Sequence, residues 1–253
     1  MRSSMAALGA GMLIALGAQA QDGTLTLGGG LHYSSGDYGT ATTTKITTLA
    51  GTAAYEKGPW TFKGWLPYLN VEGDSAVVPG IGNVRGKPSR NTKEAGLGDI
   101  IVSATYAAYY DRRTTFGLDL TAKVKLATAD ENRGLGTGEH DFIFLVDLYK
   151  TFGRWTGFGG IGYHVLGDPP GFPLDNVLSA SLGASYKLDE RDSVGASLDG
   201  RERVAAGTSP QRELTGFFIR KLDRLWKAQL YALIGLADGS PDYGFGLSLA
   251  RPF

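Results

Sequence analysis

The sequence has 253 residues, with 25 basic and 25 acidic side chains and no cysteine. A formal charge of zero argues against a nucleic-acid partner, because phosphate binding needs an excess of Lys and Arg. Without cysteine there can be no disulfide, no thiolate zinc site and no lipidated N-terminal Cys within this sequence, and we expect no cofactor.

The N-terminal residues are typical of a secretory signal peptide. Arg2 supplies a positive charge, residues 5–16 form a short apolar run, and Ala18-Gln19-Ala20 matches a small-x-small cleavage site. The run is too short to cross a bilayer as a helix, and no later segment approaches about 20 continuous apolar residues. We therefore expect a signal peptide at 1–20, cleaved after Ala20, and one domain at 21–253.

From residue 21 onward the apolar residues recur with a period of two, which is the period of a β-strand. In residues 116–126 the even positions are apolar, whereas the odd positions carry Asp119, Lys123 and Lys125. The same alternation is found in residues 100–108, 178–187, 194–203, 226–236 and 243–253. Segments of about ten residues are typical of tilted membrane-spanning strands and exceed the usual strand of a soluble sandwich.

The connections between these segments alternate in length. Short charged turns occur at 56–59, 111–113, 153–154, 189–192 and 222–224, and longer polar stretches at 34–42, 72–97, 128–140, 167–176, 205–211 and 237–242. Outer-membrane barrels alternate short periplasmic turns with long external loops. The pattern predicts an all-β fold, a transmembrane antiparallel up-and-down β-barrel of about 12 strands in the bacterial outer membrane. A soluble β-sandwich is the rival fold.

Two segments have features of their own. The longest connection, 72–97, contains Val77, Val78, Ile81 and Val84, so we expect it to pack as a lid or constriction, or simply against other loops. The last strand ends in Phe253, which is typical of outer-membrane proteins recognised by the barrel-assembly machinery. The expected partners are therefore this machinery, the outer-membrane lipid and an unidentified small-molecule solute.

A membrane barrel turns its apolar face to lipid and its other face to the interior. We therefore expect charged residues of both signs to line the lumen and to form ion pairs across strands. These charges either act in transport or merely fill the lumen with salt bridges. The candidate lumen-lining residues are Asp119, Lys123, Lys125, Asp147, Lys187, Asp199, Arg201, Arg203, Glu213 and Lys227.

Catalytic and ligand-binding motifs are weak. The glycine-rich segment 80–87 lacks the spacing of a P-loop or a dinucleotide fingerprint, and no helix pattern follows it. His32, His140 and His164 are widely separated, so we predict no metal site. There is no GxSxG turn, and no Ser shares the strand of His164. We expect no enzyme, although a triad assembled across strands stays open.

Several motifs resemble one known family. Gly96-Leu97-Gly98-Asp99-Ile100 opens a strand, and Lys125 is followed by Ala-Thr-Ala-Asp at 127–130 and by the glycine-rich segment 134–138 that leads to Asp141. They resemble the MetA-pathway of phenol degradation family, whose pattern has Pro-Thr-Gly-Asp at 127–130. The layout covers most of residues 21–253, and the specific motifs lie within 96–149. The resemblance implies an outer-membrane barrel that transports aromatic or hydrophobic compounds.

Three functions are consistent with these observations. The first is an outer-membrane channel or transporter for small hydrophobic or aromatic compounds. The second is a non-conducting surface barrel that binds partners through its external loops, and the third is a lipid-modifying outer-membrane enzyme.

Overall fold

The computed structural model describes residues 2–3, 16–17, 23–84 and 90–253. Most of them form one antiparallel sheet that closes into a barrel. Its strands are β1 Thr24–Gly36, β2 Thr44–Lys57, β3 Trp60–Asp74, β4 with two segments (Asn91–Leu97 and Ile100–Asp111), β5 Phe116–Leu126, β6 Asp141–Phe152, β7 Trp155–Val165, β8 Val177–Lys187, β9 Asp192–Arg201, β10 Gln211–Lys221, β11 Lys227–Gly235 and β12 Tyr243–Pro252.

Short elements lie outside the barrel wall. Val77–Val78 pairs with Gly82–Asn83, Arg2–Ser3 pairs with Leu16–Gly17, and Glu131–Arg133 forms a turn of 3-10 helix. No helix of the described residues is long and apolar enough to cross a membrane. Most of the expected signal peptide at 1–20 lies outside the described residues, so it stays a prediction.

Each barrel strand pairs with its neighbours in the chain, and the first strand pairs with the last. Tyr243 lies opposite Ser35, and Pro252 lies opposite Thr26. Closure is a requirement of a spanning sheet, because each unpaired backbone group in hydrocarbon costs several kcal/mol. In the described part of the chain, twelve strands, six long connections and five short ones confirm the predicted barrel.

The outer face is apolar, as a lipid-facing surface requires. Leu182 and Ile161 are 70% and 65% exposed on this face, and the ring of Trp60 stacks with that of Phe62. In β5, Leu120 faces outward, whereas Asp119 and Thr121 on either side of it are buried. The alternation read from the sequence therefore separates a lipid-facing side from a lumen-facing side.

Strand β4 begins earlier than the sequence indicated. β3 continues to Asp74, and the segment Asn91–Leu97 pairs with it, so the expected loop 72–97 is shortened to 75–90. The alternation of apolar and polar residues does not reveal this extension, because its outward residues are polar. An example is the exposed ion pair between Lys93 and Glu72 (Nζ to Oε2, 3.2 Å). Pro67 of β3 has no N–H to donate, and opposite it β4 is interrupted between Leu97 and Ile100.

The short turns at the other end are built by aspartates. The Asp189 carboxylate accepts the backbone N–H of Arg191 at 2.7 Å, and Asp223 accepts that of Trp226 at 2.6 Å. These bonds favour the ionised form, so each lowers the pKa of its aspartate. Asp111 closes the turn after β4 in the same way. The charges of the short turns therefore have a local structural role.

Candidate functional site

The barrel encloses a cavity of about 1300 Å³. It runs from residues 78–82, in the connection between β3 and β4, to the short turns at 190–191 and 221–226. Its wall is mixed in character. Apolar side chains such as Ile46, Leu69 and Ile101 alternate with charged and polar ones such as Lys63, Lys123 and Asp147.

Residues 75–84 cross the external mouth of the barrel, and we call them the lid segment. On the side near their own strands, Val77 packs against Leu69 and Val71 of β3 and against Leu135. The Asp74 carboxylate accepts the backbone N–H of Ala76 at 2.8 Å. The lid segment is therefore anchored where it leaves β3.

The far end of the lid segment contacts the opposite wall. Ile81 packs in an apolar cluster whose other members are Val78, Val84, Leu166, Leu174, Val177, Val204 and Ala205. Arg201 of β9 donates to the backbone oxygens of Gly80 (3.3 Å) and Ile81, and Gln211 of β10 donates to Ile81 O at 3.4 Å. In the ring of twelve strands, β9 lies six positions and β10 five positions from β3, where the segment begins. Both interpretations of the long connection therefore apply, since it packs on other loops and narrows the lumen.

The structure places the ten candidate lumen residues in three settings. Those that line the cavity are Lys123, Lys125, Asp147, Asp199, Arg201, Glu213 and Lys227. Asp119 lies on the inner face of β5 but is fully buried within the wall. Lys187 is exposed at the end of β8 beside a short turn, and Arg203 is exposed in the external connection 202–210. A transport role for these residues stays a prediction.

Four of these carboxylates follow a single register line across six strands, which we call the acidic row. Asp119 lies opposite Asp147, and the line continues through Gly160 and Ser181 to Asp199 and Glu213. Since the strands are tilted, it climbs from the short-turn end of β5 to the external end of β10. Neither oxygen of the Asp119 carboxylate has a hydrogen-bond partner among the described residues.

The expected ion pairing is present around Lys125, in a group that we call the loop clasp. Lys125 Nζ lies 2.8 Å from Asp141 Oδ2 and 3.4 Å from Asp99 Oδ2, and donates to Thr137 Oγ1 at 2.9 Å. Asp99 also accepts the backbone N–H groups of Thr128 and Ala129, which begin the next loop. The motif between 96 and 141 thus ties the external loop between β5 and β6 to the wall.

Inward aromatic rings cover glycines on neighbouring strands. Tyr149 lies opposite Gly117, and Phe158 lies opposite Gly183. A Cβ added at Gly117 or Gly183 would lie 2.2 or 2.5 Å from the facing ring. Phe217 with Gly195 and Tyr231 with Gly246 repeat this arrangement. In these four aromatic–glycine pairs the ring lies over a glycine of the neighbouring strand, and Tyr149, Phe158 and Phe217 also belong to one buried apolar cluster.

One serine and one histidine meet across strands. His164 Nε2 of β7 lies 2.9 Å from Ser179 Oγ of β8, and both line the cavity. The charged groups acting on His164 are Arg201 and Lys123, which are both cations. A catalytic triad needs a group that orients the base, usually a carboxylate. The described residues contain no cluster of three or more His, Cys, Asp or Glu arranged to hold a metal.

Sequence reasoning missed part of the lumen wall. Lys63 and Trp65 line the cavity from β3, where the outward residues Phe62, Leu66 and Tyr68 are exposed and apolar. Reading the period of two through this segment would have identified both. The contribution of the lid segment could not be read in this way, because its contacts join residues more than a hundred positions apart.

The architecture is similar to solved outer-membrane barrels at low sequence identity. The NanC porin has a TM-score of 0.54 and 11% identity, with 90% of this chain and 98% of that chain covered. The KdgM porin, solved with a disordered oligogalacturonate, has a TM-score of 0.51 and 6% identity, with coverage of 91% and 99%. The β domain of the Bordetella autotransporter BrkA has a TM-score of 0.51 and 11% identity, with coverage of 91% and 99%.

These likenesses show an outer-membrane barrel fold. No curated protein matches the sequence at a significant level. The family described as "Putative MetA-pathway of phenol degradation" matches residues 17–211. That match covers well over half of the chain, and the chain belongs to this family.

Proposed function

We propose that this protein is an outer-membrane channel or transporter that passes small hydrophobic or aromatic compounds through its lumen. The observation that carries the proposal is the continuous cavity of about 1300 Å³ between the lid segment and the short turns. Pockets for drug-sized ligands occupy about 300–1000 Å³, so the lumen has room for a single-ring compound.

The chemistry of the wall supports this class of solute. Around the lid segment the cavity is lined by Ile46, Leu69, Val78, Ile81 and Leu135, and Trp65 and Ile101 continue the apolar surface inward. Apolar walls with a few polar groups are typical of sites for small organic molecules. The family to which the chain belongs is described by a pathway of phenol degradation, which agrees with an aromatic solute.

The proposal includes export and assembly. A signal peptide at 1–20 would direct the chain out of the cytoplasm and be removed after Ala20, and the strand ending in Phe253 would be recognised by the barrel-assembly machinery. The Ser179–His164 pair has no carboxylate among the charged groups that act on the histidine. We therefore propose a non-enzymatic barrel.

Single-channel conductance of refolded residues 21–253 in a planar bilayer tests the proposal. Discrete, salt-dependent current steps are expected, together with swelling of proteoliposomes in small aromatic solutes that falls off with solute size. Heat-denatured protein from the same preparation is the matched control. Silence in both assays from a barrel whose β-structure is shown by circular dichroism would refute it.

A further inference from the structure

Two lysines flank a serine on the inner wall, one inward position below Lys125 of the loop clasp. Lys63 of β3 and Lys123 of β5 both lie in register with Ser103 of β4, one on each side of it. Since neighbouring strands are about 4.8 Å apart, the two lysine Cα atoms are separated by about 10 Å. All three residues line the cavity, and the charge of Lys63 acts on Lys123.

Neither ammonium group has a hydrogen bond or an ion pair in the part of the chain that the structure describes. The carboxylate of Glu56 acts on Lys63 from the next inward line below, that of Thr61, and those of Asp119 and Asp147 act on the two lysines from the line below that. Thr105 and Thr121 occupy the line between and bond to each other, Oγ1 to Oγ1, at 2.9 Å. A charge withdrawn from water without a partner is costly, so this pair is suited to a ligand that supplies the opposite charge.

A third donor lies beside the lysines. Trp65 is the next inward residue of β3 on the external side of Lys63, and its indole Nε1–H is buried with no hydrogen-bond partner among the described residues. Ile101 lies opposite Trp65, and Ile143 lies opposite Lys123. The site therefore combines three unpaired donors with a flat apolar flank, and no unpaired acceptor lies on the same register line.

We propose that Lys63, Lys123 and Trp65 form a lumenal binding site for the carboxylate of a small aromatic acid. A carboxylate accepts hydrogen bonds only, and it has lone pairs for all three donors. The ring of the acid would pack against Trp65 and the two isoleucines, where an offset stack on the indole is favourable. This inference rests on the proposed function and names the solute class for which the lumen has specific contacts.

Tryptophan fluorescence with benzoate as the probe tests the site. The sequence has four Trp, and Trp60, Trp155 and Trp226 are exposed. Replacing these three by Phe leaves Trp65 as the sole reporter. Benzoate should quench and shift its emission saturably, and Lys63→Met and Lys123→Met should each weaken benzoate binding about tenfold or more, since each removes a charged hydrogen-bond donor.

Matched controls make the result specific. Lys150→Met removes an exposed lysine of the outer face and should leave benzoate affinity unchanged, and Lys123→Arg should retain most of it. Benzamide, which has the same ring without the charge, should bind at least tenfold more weakly. Circular dichroism of each variant confirms that the barrel has formed.

The outcomes separate this site from the proposed function. Benzoate affinity that is equal in the parent and in the Lys63→Met, Lys123→Met double variant overturns the site, as does benzamide binding as well as benzoate. Such a barrel could still give current steps in KCl, and then only the site fails. Lysine-dependent benzoate binding by a barrel that never conducts would uphold the site and refute the channel.

Discussion

At the scale of single residues, Lys125 shows how a lumen charge can serve the architecture. Its side chain is 9% exposed, and its ammonium lies between the carboxylates of Asp99 and Asp141, whose side chains are 10% and 4% exposed. Asp141 also accepts the backbone N–H of Gly167 at 3.0 Å, so the group reaches the loop between β7 and β8. Removing the lysine from this group leaves both carboxylates without a compensating positive charge.

Lys125→Met should therefore lower the free energy of unfolding by about 3–5 kcal/mol, as measured by urea titration in detergent micelles. The control is Lys93→Met, which removes the exposed pair with Glu72 and should cost less than about 1 kcal/mol. Equal effects of the two substitutions would contradict the structural role of the loop clasp.

The aromatic–glycine pairs give a second prediction at this scale. Gly183→Ala should destabilise the barrel by about 1–3 kcal/mol and lower its conductance, because the new Cβ would lie 2.5 Å from the Phe158 ring and 2.7 Å from the Ala196 backbone oxygen, and the ring would have to move toward the lumen. Gly216→Ala is the control, since a Cβ there meets no atom within 4 Å. Urea titration and single-channel recording measure the two effects. A Gly183→Ala barrel with unchanged conductance would show that the ring is accommodated elsewhere.

The sequence allowed the inner and outer faces to be predicted residue by residue where a strand lies within the membrane. Asp119, Lys123 and Lys125 alternate with Leu120 and its outward neighbours, because hydrocarbon tolerates no charge on that side. The partner of each charge could not be predicted. Asp99 and Asp141 reach Lys125 through the register of three strands, and register depends on turns and bulges that a single sequence does not specify.

At the scale of elements, the lid segment and β4 are where sequence reasoning was incomplete. The apolar residues of 75–84 indicated packing, but the opposite wall could be identified only from the closed ring. The interruption of β4 opposite Pro67 consists of Gly98 and Asp99, and the backbone N–H of Gly98 donates to Pro67 O at 3.0 Å. Both features depend on tertiary contacts and produce no periodic pattern of apolar residues in the sequence.

Weakening the far anchor of the lid segment should open the lumen. In an Arg201→Ala, Gln211→Ala double variant the backbone oxygens of Gly80 and Ile81 lose their side-chain donors. Hydrogen bonds to charged groups contribute roughly 1.5–3 kcal/mol, so the time spent in a high-conductance state should rise about tenfold or more. Single-channel recording measures this fraction.

The matched control is Arg212→Ala, an exposed arginine next to Gln211. It should leave the current unchanged. Current steps of the double variant that cannot be distinguished from those of the parent would mean that the apolar cluster around Ile81 holds the segment by itself.

At the scale of the whole molecule, the pairing of β1 with β12 completes the ring. The backbone N–H of Phe253 donates to Leu25 O at 2.7 Å, whereas the Phe253 side chain is 64% exposed. The terminal residue therefore contributes to closure through its backbone, which any residue other than proline would supply. Its aromatic ring is exposed and contacts the guanidinium group of Arg251, which lies 4.9 Å from the ring centroid.

Phe253→Ala should accordingly fold normally in detergent but accumulate poorly in the outer membrane of cells. Deletion of residues 243–253 should abolish folding in both settings, because it leaves β1 and β11 as unpaired edges. The mobility of unheated samples in SDS gels reports the folded barrel, and membrane fractionation reports assembly. Normal accumulation of Phe253→Ala in cells would contradict a recognition role for the ring.

The extension of β3 and β4 gives the barrel walls of unequal height. β3 has 15 residues, whereas β11 has 9, and beyond Tyr68 the outward residues of β3 change from apolar to polar. The six residues of β3 past Tyr68 span on the order of 20 Å along the strand. The external rim of the barrel is therefore oblique. It is higher on the side of β3, where the lid segment begins, and lower at β11 and β12. The lid segment leaves the higher side and reaches the lower one, where a Cβ added at Gly82 would lie 3.5 Å from Gly239 O, so the external entrance is bridged from its high side to its low side.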